Sequence, residues 1–219
     1  QKTDLDLYSG GTVPADQACT SDVTDMSRWF HQASPFNDDI SHWDVSSVTN
    51  MSEMFKSAIN FNKDLNHWDV SNLQNANEMF SAATNFNGNI DSWQTLSLLQ
   101  MEEMFEYTNE FNRDIGSWEV SNVSNVDGLF VAAEKFNQDL SQWNLSKATD
   151  YSSMFEGADA FNQDLSSWDV SHVVSMNSMF YHADAFDQDL SLWCVENVTS
   201  ATYYERFADQ TLLTANQVP

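Results

Sequence analysis

A 25-residue spacing governs this chain. Trp43, Trp68, Trp93, Trp118, Trp143, Trp168 and Trp193 recur at that step without a single insertion. Phe30, Phe55, Phe80, Phe105, Phe130, Phe155 and Phe180 keep the step at a second phase. Phe36, Phe61, Phe86, Phe111, Phe136, Phe161 and Phe186 keep it at a third. A fixed period of about 20–50 residues signals a solenoid, a propeller or an array, in which each unit buries its apolar face on the next. A propeller blade needs four strands, more chain than each unit offers. The seven units run Val23–Ser47, Val48–Asn72, Leu73–Ser97, Leu98–Asn122, Val123–Lys147, Ala148–His172 and Val173–Asn197, numbered 1 to 7 below. Residues 1–22 form an N-terminal cap, and 198–219 a C-terminal one.

Charge then narrows the classes of partner. Of 219 residues, 33 are acidic and 8 basic, for a net charge of -25. Acidic disordered chains are poor in aromatics, whereas 13% of this one is aromatic, so a packed core is expected. The charge speaks against nucleic acid, whose phosphates need Lys and Arg, and against anionic membrane surfaces. No apolar run approaches the ~20 residues that span a bilayer, so no membrane insertion is expected. No basic segment followed by an apolar one opens the sequence, which implies that any signal peptide has been removed.

Two periodicities share each unit. In unit 2, Val48, Met51, Met54, Phe55 and Ala58 form one apolar stripe of a helix. Asn50 sits at its N-cap, and Glu53 three residues on completes a capping box. Such a helix of about two turns is ordered only by stacking on its neighbours. Downstream, Trp68 and Val70 alternate with Asp69 and Ser71, the period of a short strand. The column Val45, Val70, Thr95, Val120, Leu145, Val170 and Val195 fits a β ladder. The expected fold is therefore an α/β solenoid, a right-handed leucine-rich-repeat-like coil of strand, turn and short helix. A pure β coil is the alternative.

Several columns carry polar chemistry. Asn37, Asn62, Asn87, Asn112, Asn137 and Asn162, ending in Asp187, read as an internal amide ladder that satisfies backbone groups of successive coils. Asp39, Asp64, Asp114, Asp139, Asp164 and Asp189, broken by Asn89, would repel one another at a β spacing of ~4.8 Å. Turn capping explains them most simply. Calcium is the sharper reading, and an acidic stripe for a basic partner the third. His42 and His67 share a phase in adjacent units beside Asp44 and Asp69, a weak transition-metal candidate without a third histidine. The serines at 46, 71, 121, 146 and 171 lack a base for nucleophile activation. Met51, Met54, Met79, Met104, Met154 and Met179 fill the core, as do Phe55, Phe61, Phe105, Phe111 and the seven tryptophans. Cys19 and Cys194 lie seven whole periods apart, ~34 Å along such a stack, too far for an intramolecular disulfide.

Units such as "VTNMSEMFKSAINFNKDLNHWDVSN" and "ATDYSSMFEGADAFNQDLSSWDVSH" resemble the bacterial surface-protein repeat called BspA-like, or the mycoplasma lipoprotein repeat. The resemblance spans Val23–Asn197. It implies a secreted or cell-surface protein with a leucine-rich-like solenoid, no transferable catalytic residue, and adhesion as the usual suggestion. In proteins of this type a segment with a second cysteine often closes the array, and its absence here implies a truncated C-terminal cap. The expected function is a non-catalytic recognition or adhesion module for a protein or glycan, with no cofactor. The exposed positions Lys56, Ser57, Glu106, Tyr107, Tyr181 and His182 would choose the partner. A structural spacer, stabilised or not by calcium, is the alternative.

Overall fold

The computed structural model describes residues 20–199, 206–214 and 216–219; Cys19 lies outside them. The described units are stacked chains of tight turns, and backbone geometry explains why. Across Met51–Ala58, every second N–H donates to the carbonyl three residues back: Met54 to Met51 at 3.1 Å, Lys56 to Glu53 at 3.1 Å, Ala58 to Phe55 at 2.9 Å. The alternate N–H groups leave the unit altogether. Met51 donates to Asn75, Glu53 to Asn77, Phe55 to Met79 and Ser57 to Ser81, at 2.8–2.9 Å. The same crossing bonds join the other units, as from Phe105 to Leu129 at 3.0 Å and from Phe155 to Met179 at 2.9 Å.

This arrangement replaces the expected helix, and none forms among the described residues. A helix turns each N–H onto the carbonyl four residues back and leaves none for a neighbouring unit. The turns are closed instead by residues in the left-handed region: Glu53 at φ 55° and Ser57 at φ 60°, repeated at Glu78 and Ala82, Glu103 and Tyr107, Gly128 and Ala132. This turn pair recurs every four residues. Over a ten-residue window, a four-residue repeat and a 3.6-residue helix bury the same positions. Asn50 does cap, but an Asx turn: its Oδ1 accepts from Ser52 N–H at 3.0 Å. Glu53 meets Arg28 and His31 of unit 1 rather than closing a box.

The expected strand at Trp68–Val70 is a short link between two turns. Trp68 N–H bonds Leu65 O at 3.0 Å, and Leu73 N–H bonds Val70 O at 2.9 Å. Side chains still alternate, Trp68 and Val70 buried with Asp69 exposed, which is why the sequence imitates a strand. Parallel bridges between units fall elsewhere, on the column Asp25, Asn50, Asn75, Gln100 and Asn125.

Phenylalanine fills the interior as a double column. Within a unit Phe55 stacks on Phe61 with centroids 4.0 Å apart; between units Phe55 meets Phe80 at 5.5 Å and Phe61 meets Phe86 at 5.8 Å. These rings are fully buried. Tryptophan does more than fill space. Six indole N–H groups reach back across the stack to a carbonyl of the preceding unit: Trp68 to Ile40, Trp93 to Leu65, Trp118 to Ile90, Trp143 to Ile115, Trp168 to Leu140 and Trp193 to Leu165. The segments 206–214 and 216–219 continue the crossing bonds, three residues out of step. Phe180, His182 and Leu190 donate to Phe207, Asp209 and Gln217, 27 residues on, where earlier units bond 24 residues on.

Trp118→Ala should lower unfolding free energy by about 3–5 kcal/mol, and Trp118→Phe by about 1–3 kcal/mol, because Ile90 O then loses its buried donor. Chemical denaturation measures both, and a harmless Trp118→Phe would show that the indole bond contributes nothing. At the left-handed positions, Ala132→Gly should be neutral to stabilising by about 0.5 kcal/mol, since relieved strain exceeds the added chain entropy. Gly88→Ala should cost about 1–3 kcal/mol, because a Cβ there would overlap the Lys63 carbonyl oxygen.

Candidate functional site

Most polar columns are committed to holding turns and neighbouring units. Asn37 Oδ1 accepts from Asn62 N–H at 3.0 Å, and the pattern passes through Asn87, Asn112, Asn137 and Asn162 to Asp187 at 2.8–3.0 Å. These residues are exposed or half-buried, so the ladder runs along the surface beside the phenylalanines rather than inside. The next residue in sequence reinforces it. Gln138, Gln163 and Gln188 each donate to the carbonyl and side-chain oxygens of the preceding unit's asparagine, and Arg113 Nε to Asn87 O.

Each aspartate proposed for calcium closes an Asx turn. Asp39, Asp64, Asp114, Asp139, Asp164 and Asp189 accept through Oδ1 from the N–H two residues on, at 2.8–3.0 Å. Bonds from the N–H and hydroxyl of Ser41 hold the Asp39 carboxyl below its ordinary range. Serine hydroxyls and N–H groups do the same for Asp44, Asp69, Asp164, Asp169 and Asp189. Asn89 separates like charges directly, its Nδ2 donating to Asp64 Oδ2 at 2.9 Å. Among the described residues, no three His, Cys, Asp or Glu side chains come together around a common ion position. His42 and His67 are exposed, and the serines at 46 and 171 donate to Asp44 and Asp169. Cys194 is a free, exposed thiol.

The positions singled out for recognition divide. Lys56 pairs with Glu78, and half-buried Glu106 accepts from Ser81 Oγ at 2.9 Å, so these two serve the stack. Tyr107 is 50% exposed. Tyr181 lies against His182, with the Arg206 guanidinium 5.1 Å from its ring centroid.

Where the neighbouring units carry carboxylates together, the protein stores a pH response. Burial, then Asp150, Glu102 and Glu103, push the Asp127 carboxyl up to about 6. Burial and Glu103 also raise Glu106. A raised carboxyl supports folding while protonated, and that support is lost as pH rises through its folded value. The lowered turn aspartates contribute above their unfolded value, near 4, and lose their contribution as pH falls. Stability should therefore peak near pH 5. Asp127→Asn should flatten the decline between about pH 5 and 7, gaining on the order of 1 kcal/mol at pH 7 after solvent screening. Urea midpoints measured across that range check it; an unchanged slope in the variant would refute it.

A different surface crosses the middle of the stack. Residues 46–52, 71–77, 94–101 and 120–126 contain no charged side chain, although the chain carries -25 overall. They bring together a shallow groove of about 490 Å³, lined by neutral amides and hydroxyls with Leu99 among them. Leu96 and Leu99 stand 58% and 43% exposed on this face. No motif marks it in the sequence, where its signal is a local absence of charge.

Comparison with known proteins places the chain in a family. No curated protein and no solved structure matches it. The family described as "Mycoplasma protein of unknown function, DUF285" matches residues 12–118 and again residues 99–215, so that the two overlapping matches run across all seven units. By that coverage and its uninterrupted 25-residue repeat, the chain belongs to the DUF285 family of Mycoplasma-type proteins.

Proposed function

We propose that this chain is a non-catalytic, secreted or cell-surface protein whose stacked units form a solenoid, and that it serves as a recognition or adhesion module for a protein or glycan partner. One observation carries the reading: the uncharged face of the central units, with Leu96 and Leu99 exposed on it. A pure spacer in water gains nothing from two exposed leucines three residues apart. Apolar side chains rimmed by polar ones are the common mark of a contact surface. Membership of a Mycoplasma-type repeat family is compatible with a surface location. No described helix is long and apolar enough to cross a membrane.

The spacer reading draws on the unbroken 25-residue step, which offers no insertion to build a dedicated pocket. Substituting the exposed leucines separates the two. The chain immobilised on beads should retain host cells, whereas Leu96→Asp/Leu99→Asp should lose most of that retention with its melting temperature within a few degrees of the parent. Equal retention by the two would favour the spacer.

A further inference from the structure

We propose that the groove across units 2 to 5 binds a linear, neutral glycan. The inference rests on the recognition reading and names the ligand class for its central face. Asn50, Asn75 and Gln100 are joined by parallel bridges, Asn50 to Asn75 and Asn75 to Gln100. Side-chain amides therefore recur along the groove at the parallel-strand spacing of ~4.8 Å. A pyranose ring in an extended chain advances by a similar length, so successive sugars meet successive units in equivalent ways.

The hydrogen-bonding state of the lining favours an external partner. Asn50 is occupied, accepting from Ser52 N–H and donating to Asp25 at 3.2 Å. Asn75 accepts from Asn77 N–H at 3.0 Å. The exposed side-chain amides of Gln74 and Gln100, by contrast, hold no hydrogen bond among the described residues. Each offers a donor and an acceptor side by side, the pattern that vicinal hydroxyls complement. Thr49 and Leu99 share the groove with them. The 43% exposed Leu99 gives the C–H face of a sugar ring an apolar surface.

Other ligand classes fit less well. An anionic glycan would have to approach a molecule of charge -25, with Lys147, which donates to Asn122 at the edge of the groove, as its basic contact. A basic protein would be steered toward the carboxylate columns rather than toward the uncharged face. Protein interfaces concentrate Tyr, Trp and Arg at their centres, and the lining contains none of these.

Calorimetric titration tests the proposal. The neutral probes are cellohexaose, maltohexaose, laminarihexaose and chitohexaose; the anionic ones are a hyaluronan hexasaccharide and a heparin-derived hexasaccharide. At least one neutral probe should bind, with affinity rising from the disaccharide to the tetrasaccharide and then levelling. Gln74→Ala/Gln100→Ala should weaken it about tenfold or more without moving the melting temperature, as loss of two partly compensated hydrogen bonds requires. Three results would overturn the proposal: no neutral probe binding at millimolar concentration, the double variant keeping the parent's affinity, or the anionic probes binding equally well. If cell retention depends on Leu96 and Leu99 but free oligosaccharide never competes with it, the recognition reading stands and the glycan falls. If the double variant instead abolishes capture of a deglycosylated surface protein, the groove's ligand is protein.

Discussion

Everything in this structure depends on how one stretch of backbone divides its N–H groups. Between Met51 and Ala58, half of the donors close turns inside the unit and half cross to the next one. A unit cut from its neighbours would leave those crossing donors, and the faces of its phenyl rings, to water. No unit can then be stable alone, and stability is expected to arise at the interfaces between units rather than within them. The left-handed residues follow from the same division. Only with Glu53 and Ser57 at positive φ does the chain turn often enough to release every second donor. Most units place an ordinary residue there, and the crossing bonds outweigh the local strain.

The side chains repeat this logic at a finer scale. Indole N–H groups, asparagine Oδ1 atoms and glutamine amides all bond across the interface to the adjacent unit. The carboxylates act more locally. Each turn aspartate converts its charge into a bond with its own backbone two residues on, and that is how a chain of charge -25 stacks acidic columns. Where amides alternate with acids, as Asn89 with Asp64 or Asn125 with Glu102, the crossing bond is made between opposites of a milder kind. Burial, with no such relief from Asp150, Glu102 and Glu103, explains the raised carboxyl of Asp127.

Sequence exposes the repeat and the inward columns, because aromatic spacing reports burial directly. Trp118, Phe105 and Phe111 are buried where the 25-residue phase puts them. Local conformation is less legible. Met51, Met54, Phe55 and Ala58 look helical because a four-residue turn repeat and a helix bury the same side chains over so short a span. Trp68 and Val70 look like a strand because the short link between two turns also alternates in and out. The turn-capping aspartates are visible, since Asp followed two residues later by Ser is a local signature. Indole bonding is not: it joins residues 28 apart, and nothing in either neighbourhood marks the acceptor.

The placement of the candidate face follows from what the fold leaves free. The column Thr24, Thr49, Gln74, Leu99, Ser124, Thr149 and Val174 contributes to the stack through backbone: Thr49 N–H to Thr24 O, Gln74 to Thr49, Leu99 to Gln74, Ser124 to Leu99, and Val174 to Thr149. Such a position constrains the main chain and leaves the side chain almost unconstrained. Its residues accordingly change in size and polarity from unit to unit, while the phenylalanine and tryptophan columns beside it do not change at all. Recognition requires variation on a fixed frame. Within a structure whose other polar columns are occupied by turns and ladders, this column is where variation is cheapest in stability, and the neutral groove lies along it, with glutamine side chains that hold no hydrogen bond among the described residues.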